Sequence, residues 1–149
     1  MSMTIAMASD HGGYGLKEAI KAALTEEGYQ IRDFGCYSTD SMDYPDTAFP
    51  AANAVASGAC EKGIVICTTG IGMSICANKV KGIRCALCTD TESARLTREH
   101  NDSNILALGA KNVSKELGLA IAMVWLTTDF SGAERHARRV AKITEYENK

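Results

Sequence analysis

The chain reads GIVICTTGIG from Gly63 to Gly72, an apolar strand that ends on Cys67 and continues into a glycine-punctuated loop. Residues 73–79 are compatible with a helix, so the loop is predicted to lead into a helix N-terminus. Backbone N–H groups at such a loop and helix start attract anions. The same setting favours the thiolate form of a cysteine. The segment therefore predicts a reactive thiol beside an anion site.

Strand-like and helix-like segments alternate along the rest of the chain. The predicted strands cover residues 3–8, 29–34, 63–67, 83–88 and 105–108. The predicted helices cover residues 16–24, 47–58, 73–79, 91–100, 114–126 and 134–147. This rhythm is typical of a Rossmann-like, five-stranded parallel sheet in a three-layer α/β/α sandwich. We expect a single domain over residues 1–149, with its functional site at the carboxyl ends of the strands.

Composition excludes several classes of protein. The chain has 149 residues, of which 46% are hydrophobic and 23% charged, and its net charge is −2. Interspersed charges give no basic stripe for nucleic acid, and no apolar run approaches the ~18 residues of a membrane span. The first residues lack the features of a signal peptide, so we expect a cytoplasmic protein with six reduced cysteines.

Several cofactor and nucleotide motifs are absent. A dinucleotide fingerprint would need glycine where the chain has Ile75, and no P-loop follows Gly70. A cysteine phosphatase would need arginine in place of Met73. Cys85 and Cys88 form a CxxC motif, but consecutive strand residues point to opposite faces and no second ligand pair exists. We expect neither a metal nor an organic cofactor.

Histidine and arginine positions suggest further site residues. His11 and His100 lie in polar loops that the pattern places at strand ends, whereas His136 is expected to be solvated on the terminal helix. Arg135 and Arg139 are four residues apart, so they share a helix face and could present two guanidinium groups to one phosphate. A solvated basic face is the alternative for this pair.

Five motifs, in order, carry a family resemblance: Ser9-Asp10-His11-Gly12-Gly13, Asp43-Tyr44-Pro45-Asp46, the loop 67–72, Ala77-Asn78-Lys79 and Arg98-Glu99-His100-Asn101-Asp102. Together they resemble type B ribose-5-phosphate isomerases and related sugar-phosphate isomerases over nearly the whole chain. The resemblance implies cofactor-free interconversion of ribose 5-phosphate and ribulose 5-phosphate through a cis-enediolate, in the pentose phosphate pathway. It also implies a cleft shared between subunits of a homodimer or dimer of dimers, with the helix at 133–147 at a dimer interface.

The resemblance assigns roles to individual residues. Cys67 would be the base that moves a proton between C1 and C2, and the loop after it, including Thr69, would bind the developing oxyanion through N–H groups from Thr68 to Ser74. His100 would open the furanose ring, with Asp10 on the sugar hydroxyls. The implied substrate-binding residues are His11, Tyr44, Thr68, Gly70, Ile71, Gly72, Ser74, Asn101, Lys111, Arg135 and Arg139. Of these, His11, Arg135 and Arg139 would hold the phosphate.

Two positions depart from the family pattern and leave alternatives open. Thr68 stands where glycine is common, and its Cβ would be strained if the loop needed a positive φ. Lys111 stands where arginine is common. A lysine keeps the positive charge but lacks the planar guanidinium that can donate two parallel hydrogen bonds to a phosphate. A six-carbon substrate, such as allose 6-phosphate or galactose 6-phosphate, is one alternative. A non-catalytic sugar-phosphate-binding subunit and a thiol-redox protein using Cys85 and Cys88 are the others.

Overall fold

The computed structural model describes residues 3–149, so Met1 and Ser2 of the predicted domain lie outside the described residues. The strands are β1 (Thr4–Ser9), β2 (Gln30–Asp33), β3 (Lys62–Cys67), β4 (Cys85–Leu87) and β5 (Ile105–Gly109). The helices are α1 (Tyr14–Glu26), α2 (Pro45–Ala56), α3 (Ile71–Asn78), α4 (Thr91–Asn101), α5 (Lys115–Thr127) and α6 (Glu134–Glu147). A short 3₁₀ helix, His11–Gly13, follows β1 and was not predicted.

The five strands form one parallel sheet in the order β2-β1-β3-β5-β4. Alternate residues of the central strands face opposite helical layers, as the pleat requires. Ile64 and Ile66 pack with side chains of α1, α4 and α5, whereas Val65 and Cys67 pack with those of α2 and α3. The predicted three-layer sandwich with a five-stranded parallel sheet is confirmed.

Element boundaries differ from the predictions mainly at the sheet edge. β4 has three residues, whereas residues 83–88 were predicted as strand. Pro45 is the first residue of α2, where its missing N–H costs no hydrogen bond.

Within residues 3–149, no helix combines the length and apolarity needed to cross a bilayer.

A buried ion cluster joins α1 to the end of β2. Lys17 is fully buried, and its Nζ donates to both carboxylate oxygens of Asp33, at 2.7 and 2.9 Å. Lys21 Nζ donates to the same carboxylate at 2.9 Å. Burial alone would raise the pKa of Asp33, but the hydrogen bonds from the two lysines and from Gly35 N–H hold it below its ordinary value.

Asp33→Asn should lower the free energy of unfolding at pH 7 by about 1–3 kcal/mol, because it leaves the buried ammonium of Lys17 with a neutral partner. A carboxyl with a depressed pKa stabilises the fold above its ordinary pKa of about 4, and this stabilisation is lost as pH falls through the folded-state pKa. The difference between wild type and variant should therefore shrink below about pH 4. Urea unfolding across this pH range measures it, with Asp40→Asn, an exposed aspartate, as the control. Equal stability at pH 7 would contradict the assignment.

Candidate active site

A cavity of about 390 Å³ lies at the carboxyl edge of the sheet. Asp10 follows β1 and Cys67 ends β3, and the connections leave these adjacent strands in opposite directions. This is the topological switch point, where open parallel sheets bind ligands. We call this site the cysteine cavity. It is lined by Asp10, Tyr44, Cys67, Thr68, Thr69, Ile71, Gly72 and Ile75.

Glycines shape the loop that follows Cys67. Gly70 has a φ of 76°, and a Cβ there would lie 2.6 Å from the Leu87 side chain and 2.9 Å from the Leu108 backbone. Thr68 is not among the described residues with positive φ, so the loop accepts a side chain at this position. Its hydroxyl lies over Gly12, where a Cβ would come within 2.2 Å of Thr68 Oγ1. A threonine after the cysteine therefore fits beside a glycine in the 3₁₀ turn.

The Cys67 thiol is buried and receives a backbone hydrogen bond. Gly70 N–H donates to Cys67 Sγ at 3.2 Å. Asp10 is also buried, and its Oδ1 accepts from Gly13 N–H at 3.0 Å, so one carboxylate oxygen caps the 3₁₀ turn. The cavity therefore combines a buried thiol with a buried carboxyl group.

Fewer backbone N–H groups are free for an oxyanion than the sequence suggested. Ser74 N–H donates to Gly70 O at 3.0 Å, because residue 74 already lies within α3. Ile71 N–H donates to Thr69 Oγ1 at 3.3 Å. The expected row of donors from Thr68 to Ser74 is thus shortened at its helical end. Ser74 can offer only its side chain to a ligand.

Other expected binding residues surround the cysteine cavity. The Tyr44 ring packs on Gly72, where a Cβ would lie 2.7 Å from Tyr44 Cε1. His11 begins the 3₁₀ turn, and its Nδ1 accepts from Met42 N–H at 3.2 Å. Lys111 follows β5 and donates its N–H to Thr68 O at 2.9 Å.

His100 and Asn101 lie at the opposite edge of the sheet from Cys67. α4 carries the chain from the carboxyl end of β4 back to the amino end of β5, and both residues lie in its last turn. The five residues of β5 span roughly 16 Å at ~3.3 Å per residue. We expected His100 and Asn101 to lie at the carboxyl edge of the sheet with Cys67. This expectation was wrong, because both residues precede β5 and lie at the amino edge. Within one chain, His100 does not reach the cysteine cavity.

Two of the expected phosphate ligands lie on the same side as His100. Ser131 N–H donates to Glu99 O at 3.2 Å, which fixes the start of α6 beside the end of α4. Arg135 and Arg139, in the first two turns of α6, are exposed there. We call this group the histidine–arginine surface: His100, Asn101, Arg135 and Arg139.

His136 was expected to be solvated, and this prediction was wrong. Its side chain is 6% exposed, its ring centroid lies 4.3 Å from that of His100, and its Nδ1 hydrogen-bonds Ser131 Oγ at 2.7 Å. Burial, together with the positive charges of Arg135, His100 and Arg139, lowers the pKa of His136. The buried His136 ring therefore packs against the ring of His100.

The CxxC motif lies outside the cysteine cavity. Burial raises the pKa of Cys85, and it raises that of Cys88 to about 11. Both groups therefore stay protonated at neutral pH, which argues against thiolate redox chemistry. Among residues 3–149, no three metal-ligating side chains come together.

The fold and this cavity define an α/β protein with a buried thiol at the switch point of a parallel sheet. The chain belongs to the family described as Ribose/Galactose Isomerase, whose model matches residues 5–143. This confirms the family resemblance and identifies the chain as an aldose–ketose isomerase.

Individual relatives resemble the chain over nearly its full length. It is 45% identical over 145 residues to ribose-5-phosphate isomerase B of Escherichia coli, covering 97% of each chain. The solved structure of ribose-5-phosphate isomerase B from Clostridium thermocellum has a TM-score of 0.96 and 53% identity, covering 98% of each chain. The structure of a ribose 5-phosphate isomerase from Thermotoga maritima has a TM-score of 0.94 and 44% identity, covering 97% of this chain and 99% of that one.

Gly70→Ala should lower the free energy of unfolding by about 2–5 kcal/mol, as the sum of a left-handed backbone cost and an overpacking cost. Gly28→Ala is the matched control, since Gly28 also has a positive φ but no atom lies within 4 Å of a Cβ there. The control should lose about 1–2 kcal/mol. Urea unfolding of both variants measures the difference, and equal losses would show that Gly70 is not sterically confined.

Proposed function

We propose that the protein interconverts ribose 5-phosphate and ribulose 5-phosphate, with Cys67 as the base. The observation that carries this proposal is the buried Cys67 thiol. Its sulfur accepts a hydrogen bond from Gly70 N–H, and it lines the same cavity as Asp10. Family membership supports the reaction class, and identity to ribose-5-phosphate isomerase B enzymes supports the five-carbon substrate. The loop also accommodates threonine at position 68, because the Thr68 side chain lies against Gly12, which has no side chain of its own.

The reaction moves one proton between adjacent carbons. His100 protonates the ring oxygen of the furanose as the C1–O4 bond breaks, and the anomeric hydroxyl gives up its proton to water, which leaves the open-chain aldose. The Cys67 thiolate then removes the proton from C2, and the C2–H electron pair becomes the C1–C2 double bond while the carbonyl oxygen becomes an enediolate oxygen. Loop N–H groups stabilise that oxygen. Cys67 returns the proton to C1, and the O2 proton moves to O1, which leaves the ketose.

Two chains are needed to assemble this machinery. The cysteine cavity and the histidine–arginine surface lie at opposite edges of one sheet, so we propose that the surface of one subunit closes the cavity of its partner. Exposed apolar side chains at the cavity rim support this arrangement: Tyr44 is 40% exposed, Ile71 52% and Ile75 55%. Arg135 and Arg139 would then meet the substrate phosphate, which suits a dianion. α6, which carries both arginines, would lie at the subunit interface of the homodimer.

Cys67→Ser should retain substrate binding but lose about 10²–10⁴-fold in turnover, because a hydroxyl is a far weaker base at neutral pH. The assay follows ribose 5-phosphate, allose 6-phosphate and galactose 6-phosphate side by side. The double variant Cys85→Ala/Cys88→Ala is the control and should keep its activity. Near-normal turnover of Cys67→Ser would exclude Cys67 as the base. A preference of the wild type for a six-carbon sugar would reassign the substrate, and no turnover would favour a binding subunit.

Mixing two inactive variants should restore activity. Cys67→Ala and His100→Ala should each be nearly inactive, whereas a heterodimer of the two has one site with both residues intact. Random exchange of subunits should recover about a quarter of wild-type activity, since half of the dimers are mixed and each has one working site. The measurement is isomerase activity after unfolding and refolding the mixture. No recovery would place both residues in a site formed by one chain.

A further inference from the structure

Lys17 is a buried cation that the reaction does not use. It lies on α1 and is fully buried. Beyond its bonds to Asp33, its Nζ donates to the carbonyl oxygen of Cys36 at 2.6 Å. A buried ammonium with three acceptors holds those acceptors in place, since moving any of them would leave a buried charge unsatisfied. Lys17 therefore fixes the path of the chain just after β2.

The segment that Lys17 holds runs over the end of β1 to the candidate site. Ser9 N–H donates to Gly35 O at 2.6 Å, and Cys36 N–H donates to Ser9 O at 2.8 Å. Farther along, Met42 N–H donates to His11 Nδ1 at 3.2 Å. Residues 33–42, here called the strap, thus connect the buried lysine to the ring of His11.

We propose that Lys17 is a positioning residue that acts through the strap to hold His11 in one tautomer and one orientation. This inference rests on the proposed function, in which His11 contacts the substrate phosphate. A backbone N–H can donate only to an unprotonated ring nitrogen, so Nδ1 is the acceptor and Nε2 carries the proton of the neutral ring. That leaves Nε2–H as a donor to a phosphate oxygen. The opposite tautomer would present a lone pair to the dianion.

Lys17→Met tests the link, because methionine fills similar volume but cannot donate. The fold should tolerate it, since Lys21 still neutralises Asp33. Lys21→Met is the matched control: Lys21 binds the same carboxylate but is partly exposed and has no bond to Cys36 O. We expect Lys17→Met to raise KM for ribose 5-phosphate about 10-fold, with kcat within about twofold, and Lys21→Met to leave both near wild type.

A double-mutant cycle with His11→Ala separates positioning from general destabilisation. If Lys17 acts through His11, Lys17→Met should add no further increase in KM in the His11→Ala background. The same increase in both backgrounds would overturn the proposal. Should Lys17→Met fail to fold, Met42→Pro removes the N–H donor to His11 directly and should give the same rise in KM.

Imidazole ¹⁵N spectra provide a readout that does not depend on turnover. The chain has three histidines, so His11→Ala identifies the His11 signals. Wild type should show the Nε2–H tautomer at His11, and Lys17→Met should show a mixture of tautomers, whereas Lys21→Met should not. An unchanged His11 tautomer in Lys17→Met would overturn the proposal. Absence of isomerase activity in wild type would refute the proposed function while this spectrum still decided the Lys17–His11 link.

Discussion

The close approach of loop backbones around the end of β3 is the constraint on which the candidate site depends. A Cβ at Gly13 would lie 2.5 Å from the Ile66 carbonyl oxygen, and one at Gly109 would lie 2.5 Å from the Thr69 backbone. These glycines let the turn after β1 and the end of β5 press against the segment that carries Cys67. Gly70 then turns the chain into α3 beside the sulfur. The thiol is buried between these backbone segments and the side chains of α2 and α3.

The features of the fold that leave a local pattern in the sequence, such as the alternation of strands and helices, could be predicted. An apolar run followed by a glycine loop places Cys67 at the end of a strand, and the strand–helix alternation predicts the parallel sheet. His100 was placed at the wrong edge because polar residues before a strand look like polar residues after one. Only the path of α4, which returns the chain to the amino edge, distinguishes the two. His136 was missed because Ser131 and the ring of His100 bury it, and neither contact leaves a periodic signal in α6.

The burial of Lys17 could be predicted from the sequence, but its partner could not. It is spaced three and seven residues before the buried Ile20 and Leu24, so it occupies a position on the apolar stripe of α1. A lysine at such a position signals a buried charge that needs a partner. The sequence does not identify that partner, because Asp33 is sixteen residues away and becomes a neighbour only through the pairing of β1 with β2. The position of Lys17 on the apolar face of α1 thus predicts that its side chain is buried. The order of the strands decides which carboxylate it binds.

The separation of the cysteine cavity from the histidine–arginine surface bears on how the enzyme matures. Under the proposed arrangement, a newly folded chain would have both parts of the chemistry but no complete site, so folding by itself would yield an inert protein. Association of two chains would then be the last step of active-site assembly, and its rate would depend on the square of the chain concentration. Catalytic capacity would then respond more steeply than protein abundance when few chains are present. The path of α4, which places His100 at the amino end of β5, would thereby make activity depend on the association of two chains.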